Sequence, residues 1–393
     1  MYPIIRSILD TDQYKLSMGC AVLFGSRMGI AYSDCDVTYE FINRGGTQFP
    51  ERFAEELRKE VDTMASLYLT DDEYTFLSEN CPFLRSAYLE YLRGYRFKPH
   101  QVIISQNGGE LRIQVVGPMY QAILWEVPLM ATVSELYYWM TGRVADERTF
   151  ARMEDKSKNL GNAGVLVGDF GTRRRFSYEV QDKSIPIFKE NCPSYTGTSN
   201  LHLAMKHGVK PLGTQAHEWY SFHAALFGYR LANYHAMEAW VDEFQGDLGV
   251  ALPDTFTTDV FLRDFGKKFA SLFMAVRHDS GCPITFAEKF IAHYEKLGID
   301  PMSKYILFSD SLNDSKAIEL KRWCEGKVKF GSSGIGTFLT NDCGHNPLNM
   351  VIKLTEVRYR GQKIKAVKLS DVAGKHTGDR EEIEVCKKVL GLS

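Results

Sequence analysis

The chain has 393 residues, of which 44% are hydrophobic and 24% charged, with a formal net charge of -2 at pH 7. That length exceeds what one hydrophobic core usually serves, so two domains of ordinary globular composition are expected. The near-neutral balance excludes a general attraction to nucleic acid or to an anionic membrane surface, so any anion must be bound locally. Eight cysteines are scattered without a CxxC pair, which argues against a zinc site and fits a reducing compartment. No apolar run reaches the roughly 18 residues of a membrane span. Arg6, Asp10, Asp12 and Lys15 come too early for a signal peptide, so a cytoplasmic location is expected.

Residues 10–28 open with Asp and Thr at cap-like positions, and Leu16, Cys20, Leu23 and Phe24 recur at helical spacing, with Tyr14 in the first turn. Residues 37–43 alternate and are β-branched or aromatic, which predicts a strand ending at Arg44-Gly45-Gly46. A charged, mostly helical stretch follows to about residue 94. Residues 101–116 form the clearest hairpin in the chain, two alternating runs around Asn107-Gly108-Gly109. The apolar run PMYQAILWEVPLMATVSELYYWM then predicts a long helix crossing between domains.

From about residue 160, short apolar runs end in polar residues or glycine, and helical segments lie between them. They are 163–171, 248–254, 272–281, 304–311 and 327–337. Asp254, Asp279, Asp310 and Gly331 end successive runs at separations of 25, 31 and 21 residues. This alternation implies a parallel sheet covered by helices, in a barrel or doubly wound form, with the residues just past the strand ends lining the working face. Pro186 predicts a kink or early stop in the helix after Arg175. After residue 345 the rhythm ceases, and 350–354 and 363–369 read as two strands around Arg360-Gly361 that return to the first domain.

Five stretches have the residue types for chemistry. Gly213-Thr214-Gln215-Ala216-His217-Glu218-Trp219 leads a hydroxyl and backbone N–H groups up to a histidine, which can act as nucleophile or proton carrier near neutral pH. Phe170-Gly171-Thr172-Arg173-Arg174-Arg175 follows an apolar strand, where one or two arginines can meet a phosphate or carboxylate. Gly197-Thr198-Ser199-Asn200 reads as a hydroxyl-rich turn opening a helix, suited to capping or to an anion. Arg277-His278-Asp279 places a cation and a carboxylate at a strand end, as a structural pair or as a grip on an anionic ring substituent and a sugar diol or metal. Gly331-Ser332-Ser333-Gly334-Ile335-Gly336-Thr337 reads as a glycine-rich strand exit that wraps a sugar phosphate. It is not a Walker loop, since no GK[ST] follows. His223 lies six residues after His217 rather than four, so a zinc pair fails, and no G-x-S-x-G elbow occurs.

In order, DTDQYKLSM, YEFINR, AILWEVPLM, FGTRRR, TGTSN, GTQAHEW, LPDTF, VRHDSG, LFSDSLN, FGSSGIGT and KLSDVAGK resemble the nicotinate phosphoribosyltransferase family of type II phosphoribosyltransferases. The resemblance implies an α/β fold, with an irregular (β/α) barrel over 131–344 and a second α/β domain built from the terminal segments 1–130 and 345–393. It implies transfer of phosphoribose from phosphoribosyl diphosphate to nicotinate, a step of NAD biosynthesis, with ATP hydrolysis coupled through a phosphohistidine. Mg²⁺ is expected with the phosphorylated substrates, without direct protein ligands. A homodimer with shared active sites is also implied.

Carried over residue by residue, the resemblance makes His217 the phosphate acceptor, oriented by Asp254. Phe170 and Tyr14 become the clamp on the pyridine ring, Tyr14 coming from the neighbouring subunit. Thr214 and Arg277 become nicotinate contacts with Ser199 near the carboxylate, Arg173 a diphosphate contact and Asp279 a ribose contact. Gly334, Gly336 and Thr337 become the phosphate loop. A related nicotinamide enzyme carries an aspartate after the Gly-Thr pair; Ser199 stands there in this chain and is expected to favour the acid.

Overall fold

A computed structural model describes residues 3–372 and 375–392. Ala373 and Gly374, within the KLSDVAGK stretch noted above, lie outside the described residues. Helix α1 spans Gln13–Phe24, and β1 (Asp36–Asn43) follows it after a short hairpin. Three helices, Phe53–Thr63, Asp71–Asn80 and Ser86–Gly94, occupy the charged stretch. Strands β2 (Val102–Asn107) and β3 (Glu110–Pro118) form the hairpin, and α2 (Glu126–Met140) is the apolar crossing helix.

The βα region comprises β4 (Val167–Asp169), α3 (Tyr178–Asn191), β5 (Tyr195–Thr198), α4 (Leu201–His207) and α5 (His217–Phe227). It continues through β6 (Val250–Ala251), β7 (Ala275–His278), α6 (Pro283–Lys296), β8 (Tyr305–Phe308), α7 (Asp314–Cys324) and β9 (Lys329–Ile335). Strands β10 (Met350–Tyr359) and β11 (Gln362–Lys365) and helix α8 (Arg380–Leu390) complete the chain. Among the described residues no helix is long and apolar enough to cross a membrane.

Two sheets carry the molecule. The first is antiparallel, ordered β11-β10-β1-β3-β2, so both ends of the chain build it. Its central pairing is β1 with β10, Val37 opposite Val357 and Phe41 opposite Ile352. Both hairpins close through two residues, with positive φ where the turn needs it, at Gly108 (56°) in one and at Arg360 and Gly361 (49° and 79°) in the other. The second sheet is parallel, ordered β5-β4-β9-β8-β7-β6. Its ladder is open, and no hydrogen-bonded pairing joins β6 to β5 among the described residues.

Several local expectations change. The spacing in α1 suggested one apolar face, but every residue from Gln13 to Val22 is buried, Lys15 included. Asp12 occupies the cap position of α1 without a side-chain cap bond. Asp10 instead grips Arg175, Nη1 donating to Oδ1 at 2.7 Å and Nη2 to Oδ2 at 2.9 Å, with both side chains fully buried. Of the three arginines, Arg175 is therefore a structural strut that fastens the N-terminal segment to the parallel sheet.

Helix α3 runs unbroken through Pro186. The missing N–H at Pro186 loses one bond, but Val180, Ile185 and Phe188 keep the helix packed on both sides of it. Thr198 belongs to β5 rather than to a turn, so only Ser199 and Asn200 open α4. The stretch Gly331–Ile335 is likewise strand, not loop: its N–H groups serve the ladder, leaving Gly336 and Thr337 at the exit, where a four-residue helix begins. Helix α8 has no counterpart in the sequence reading, although Ile383, Cys386 and Leu390 are its buried positions and show helical spacing.

Candidate active site

A cavity of about 570 Å³ opens where the carboxyl ends of β4, β7, β8 and β9 face β10 of the antiparallel sheet. This is where a parallel sheet of this kind presents its loops and where ligands are held. Tyr14, Phe170, Arg173, Ser199, Thr214, His217, Arg277, Asp279, Gly334, Gly336 and Thr337 all line it. Asp254 stands one layer behind, fully buried, its Oδ1 3.7 Å from His217 Nε2.

His217 is the first residue of α5, delivered by the extended segment 213–216. That segment passes close to α1: a Cβ on Gly213 would lie 2.9 Å from Gln13 atoms, so a glycine is needed there. The imidazole is held at both nitrogens, Nδ1 3.0 Å from Thr255 Oγ1 and Nε2 2.9 Å from Asp279 Oδ2. The carboxylate in hydrogen-bond range is thus Asp279 rather than Asp254, because Asp279, the first residue past β7, stands directly over the helix start. Burial pushes the His217 pKa down to about 4 even though Asp254 and Asp279 favour the cation. At neutral pH the ring is neutral and keeps a nucleophilic lone pair. Ser309 Oγ donates to Asp279 Oδ1 at 2.8 Å, a role for the SDS stretch after β8 that the sequence left open. Burial works to raise the pKa of Asp279, yet Arg277 and His217 hold it well below the usual carboxylate range.

A slot for a flat ring lies alongside. Phe170 follows β4, and its ring packs on Gly334 of β9; a Cβ at residue 334 would lie 2.6 Å from the ring. Arg277 Nη1 donates to Thr214 Oγ1 at 2.7 Å, and Arg277 Nη2 lies 3.7 Å from Asp279. Both sequence readings of Arg277 and Asp279 are therefore partly met: they pair loosely, and both still face the cavity. Tyr14 lines the same cavity as Phe170 within one chain, 3.5 Å from Glu126 Oε2 through its hydroxyl. The Tyr14 that lines this cavity belongs to the same chain, since α1 packs beside its own β4–β5 edge through the Gln13 N–H to Ser199 carbonyl bond of 2.8 Å.

Ser199 does not leave the ring slot free of carboxylate. Its Oγ donates to Asp12 Oδ1 at 2.7 Å, and Asp12 lines the cavity with its pKa raised by burial. Arg277 and its Thr214 partner face the same cavity as a cationic donor pair.

The opposite wall is cationic and was not singled out from sequence. Arg44, Lys353 and Lys368 reach the cavity from the antiparallel sheet and the tail, with Arg173 and Arg174 across from them. Burial pushes the Lys353 pKa down to about 8, and no carboxylate lies within salt-bridge distance of it among the described residues. The alternation of β10 was legible, with Met350, Ile352 and Leu354 buried and Lys353 on the other face. That this other face meets a cavity was not.

Asp169 also went unnoticed. Fully buried at the end of β4, it accepts from Gly171 N at 2.8 Å, Gln181 Nε2 at 2.9 Å and Thr198 Oγ1 at 2.7 Å, which fixes the exits of β4 and β5.

Two family models match the chain, the nicotinate phosphoribosyltransferase (NAPRTase) N-terminal domain over residues 9–134 and the nicotinate phosphoribosyltransferase (NAPRTase) family over residues 165–393. The nicotinate phosphoribosyltransferase of Chromohalobacter salexigens is 47% identical over 394 residues, covering 99% of each chain. That of Methanosarcina acetivorans is 43% identical over 411 residues, covering 99% of this chain and 98% of its own. Among solved structures, the nicotinate phosphoribosyltransferase of Porphyromonas gingivalis superposes with a TM-score of 0.95 at 46% identity, over 99% of this chain and 100% of that one. A putative nicotinate phosphoribosyltransferase of Saccharomyces cerevisiae gives 0.93 at 34% identity, over 100% of both.

Proposed function

The chain belongs to the nicotinate phosphoribosyltransferase family, and on that premise we propose that its cavity joins nicotinate to phosphoribosyl diphosphate while ATP is hydrolysed through phosphorylation of His217. The observation that carries this reading is one cavity holding both an acid-binding pair, Arg277 with Thr214, and a neutral histidine.

In the transfer, nicotinate lies in the slot beside Phe170 and Tyr14, its carboxylate on the Arg277 guanidinium and the Thr214 hydroxyl. Gly336 and Thr337 take the 5′-phosphate, and Asp279 faces the ribose hydroxyls. The ring nitrogen attacks the anomeric carbon as the bond to diphosphate breaks, and the diphosphate leaves with the electron pair. Arg173, Arg44 and Lys353 meet the departing charge, which is stabilised most by donors already in place. The resemblance implies no direct protein ligand to Mg²⁺, but the orphaned Asp254 Oδ1 and the Asp279 carboxylate, which lie with a His217 ring nitrogen within 4.8 Å of one another, are oxygen donors that would suit Mg²⁺ arriving with the polyphosphates. When bound, Mg²⁺ neutralises phosphate charge and favours departure of the diphosphate.

In the coupled reaction a ring nitrogen of His217 takes the γ-phosphoryl group, ADP leaves, and water later removes the phosphoryl group. The modification places close to two negative charges at the start of α5. At Nε2 it also displaces the hydrogen bond to Asp279, which frees that carboxylate for the ribose.

Incubation with γ-labelled ATP tests the assignment. An acid-labile label is expected on the protein, lost in His217→Ala with ATP-independent transfer still measurable. Labelling that persists in His217→Ala sinks the role of that residue. A steady-state comparison of nicotinate with nicotinamide tests the base: preference for nicotinamide would remove Arg277 as the carboxylate contact.

A further inference from the structure

The mechanism above leaves one buried charge cluster unused. Lys15 is fully buried on α1, and its Nζ contacts Glu126 Oε2 as well as Glu218 Oε2, the latter at 2.5 Å. Glu126 is the first residue of α2 and Glu218 the second of α5, so one ammonium joins the starts of three helices. Each neighbour matters. Lys15 directly follows Tyr14, Glu218 directly follows His217, and Glu126 lies 3.5 Å from both the Tyr14 hydroxyl and Arg173 Nη1.

Such a cluster is a poor device for stability. Removing three charges from water is costly, and apolar side chains of the same volume often serve as well or better. This one is also incompletely satisfied, since Glu218 Oε1 has no hydrogen-bond partner among the described residues. A half-satisfied polar network is worth less than an apolar core, so its geometry rather than its energy is the feature to explain.

We propose that Lys15 is a positioning residue that fastens the helix beginning at His217 to the helix carrying Tyr14, so that phosphorylation of His217 changes the affinity for nicotinate through Tyr14. The proposal rests on the phosphohistidine reading given above. New negative charge on His217 lies one residue from Glu218, and Lys15 is the cation both carboxylates share. A displacement at the α5 start is transmitted to α1 because the ammonium cannot follow one carboxylate without pulling on the other. Coupling between sites of this kind is commonly about 5-fold to 150-fold in affinity.

The test measures KM for nicotinate with and without ATP in the full-length protein and in two variants. Glu218→Gln removes one charge with little change of shape. Lys15→Met combined with Glu218→Gln removes the cation together with the carboxylate it would strand, and leaves Glu126 the Arg173 guanidinium. The ratio of KM without ATP to KM with ATP is expected to fall from the unaltered protein through Glu218→Gln to near unity in the double variant. γ-Phosphate labelling of His217 and KM for phosphoribosyl diphosphate are expected to stay within about twofold, which a general loss of packing would not spare. A double variant that is labelled normally and keeps the full ATP effect on nicotinate overturns the proposal. If the double variant does not fold, an unchanged ratio in Glu218→Gln overturns it equally. Absence of label in the unaltered protein would instead remove the phosphohistidine, and the coupling with it.

Discussion

Gly334→Ala is the sharpest probe of the ring slot. Gly334 lies in β9 with ordinary strand φ, so alanine meets no backbone strain. The new methyl would stand 2.6 Å from Cδ2, 2.7 Å from Cε2 and 3.2 Å from Cγ of Phe170. Carbon atoms pack at about 3.5 to 4.0 Å, so the ring must recede by about 1 Å. Phe170 is half-buried and can swing toward the cavity, whereas the β4–β9 ladder, with Gly168 opposite Gly334 and Asp169 opposite Ile335, resists movement. The cost therefore falls on the ring-binding surface. Overpacking of this size costs about 1 to 3 kcal/mol. At roughly 1.4 kcal/mol per tenfold, KM for nicotinate is expected to rise about 5-fold to 150-fold. The assay is steady-state kinetics varying each substrate separately, with thermal melting alongside. KM for phosphoribosyl diphosphate and the Tm are expected to change little. If the Tm falls while KM for nicotinate is unchanged, the strand has absorbed the methyl and Phe170 does not form the slot wall.

Lys353, with its pKa pushed down to about 8 by burial, is charged below that pH and neutral above it. In the unliganded protein, affinity for diphosphate is expected to weaken as pH rises through 8, and Lys353→Met to remove that limb of the binding profile. Asp10→Asn leaves the fully buried Arg175 only the more distant Glu135 carboxylate at 3.7 Å and is expected to destabilise the fold by about 3 kcal/mol, read as a loss of unfolding free energy in chemical denaturation. A loss of unfolding free energy below about 1 kcal/mol, typical of exposed pairs, would show that the buried pair contributes little. Because Tyr14 and Arg277 line one cavity in one chain, mixing Tyr14→Ala with Arg277→Ala protein is expected to restore no activity. Recovery toward a quarter of wild-type turnover or more would mean that the two residues meet across subunits.

The fold and the site were legible to different depths. The two-residue turns at Gly108-Gly109 and Arg360-Gly361 and the alternation of β1, β2, β3 and β10 are local properties, and they identify the antiparallel sheet without any tertiary information. The polar ends of β7 and β9 were equally local, so Arg277, Asp279 and Thr337 could be nominated from their places past apolar runs. Order along the chain then supplied the family, because a set of short motifs in sequence is specific where each alone is not.

Tertiary structure decided everything that depended on which surfaces meet. Arg173, Arg174 and Arg175 are indistinguishable as letters, yet Arg175 is a buried strut to Asp10 while Arg173 faces the cavity, because only folding brings Asp10 to one of them. Lys15 is a charged residue in a helix, and only the packing of two other helices against it buries it between Glu126 and Glu218. Whether Asp254 or Asp279 holds His217 depended on a difference of 3.7 against 2.9 Å across three separate chain segments. The cationic wall of Arg44, Lys353 and Lys368 comes from strands and a tail far from the parallel sheet in sequence. Local pattern determined the elements and the chemistry at their ends, because propensity and periodicity act over a few residues. Charge pairing, burial and pKa depend on neighbours brought together from distant positions, so they existed only once the two sheets had packed.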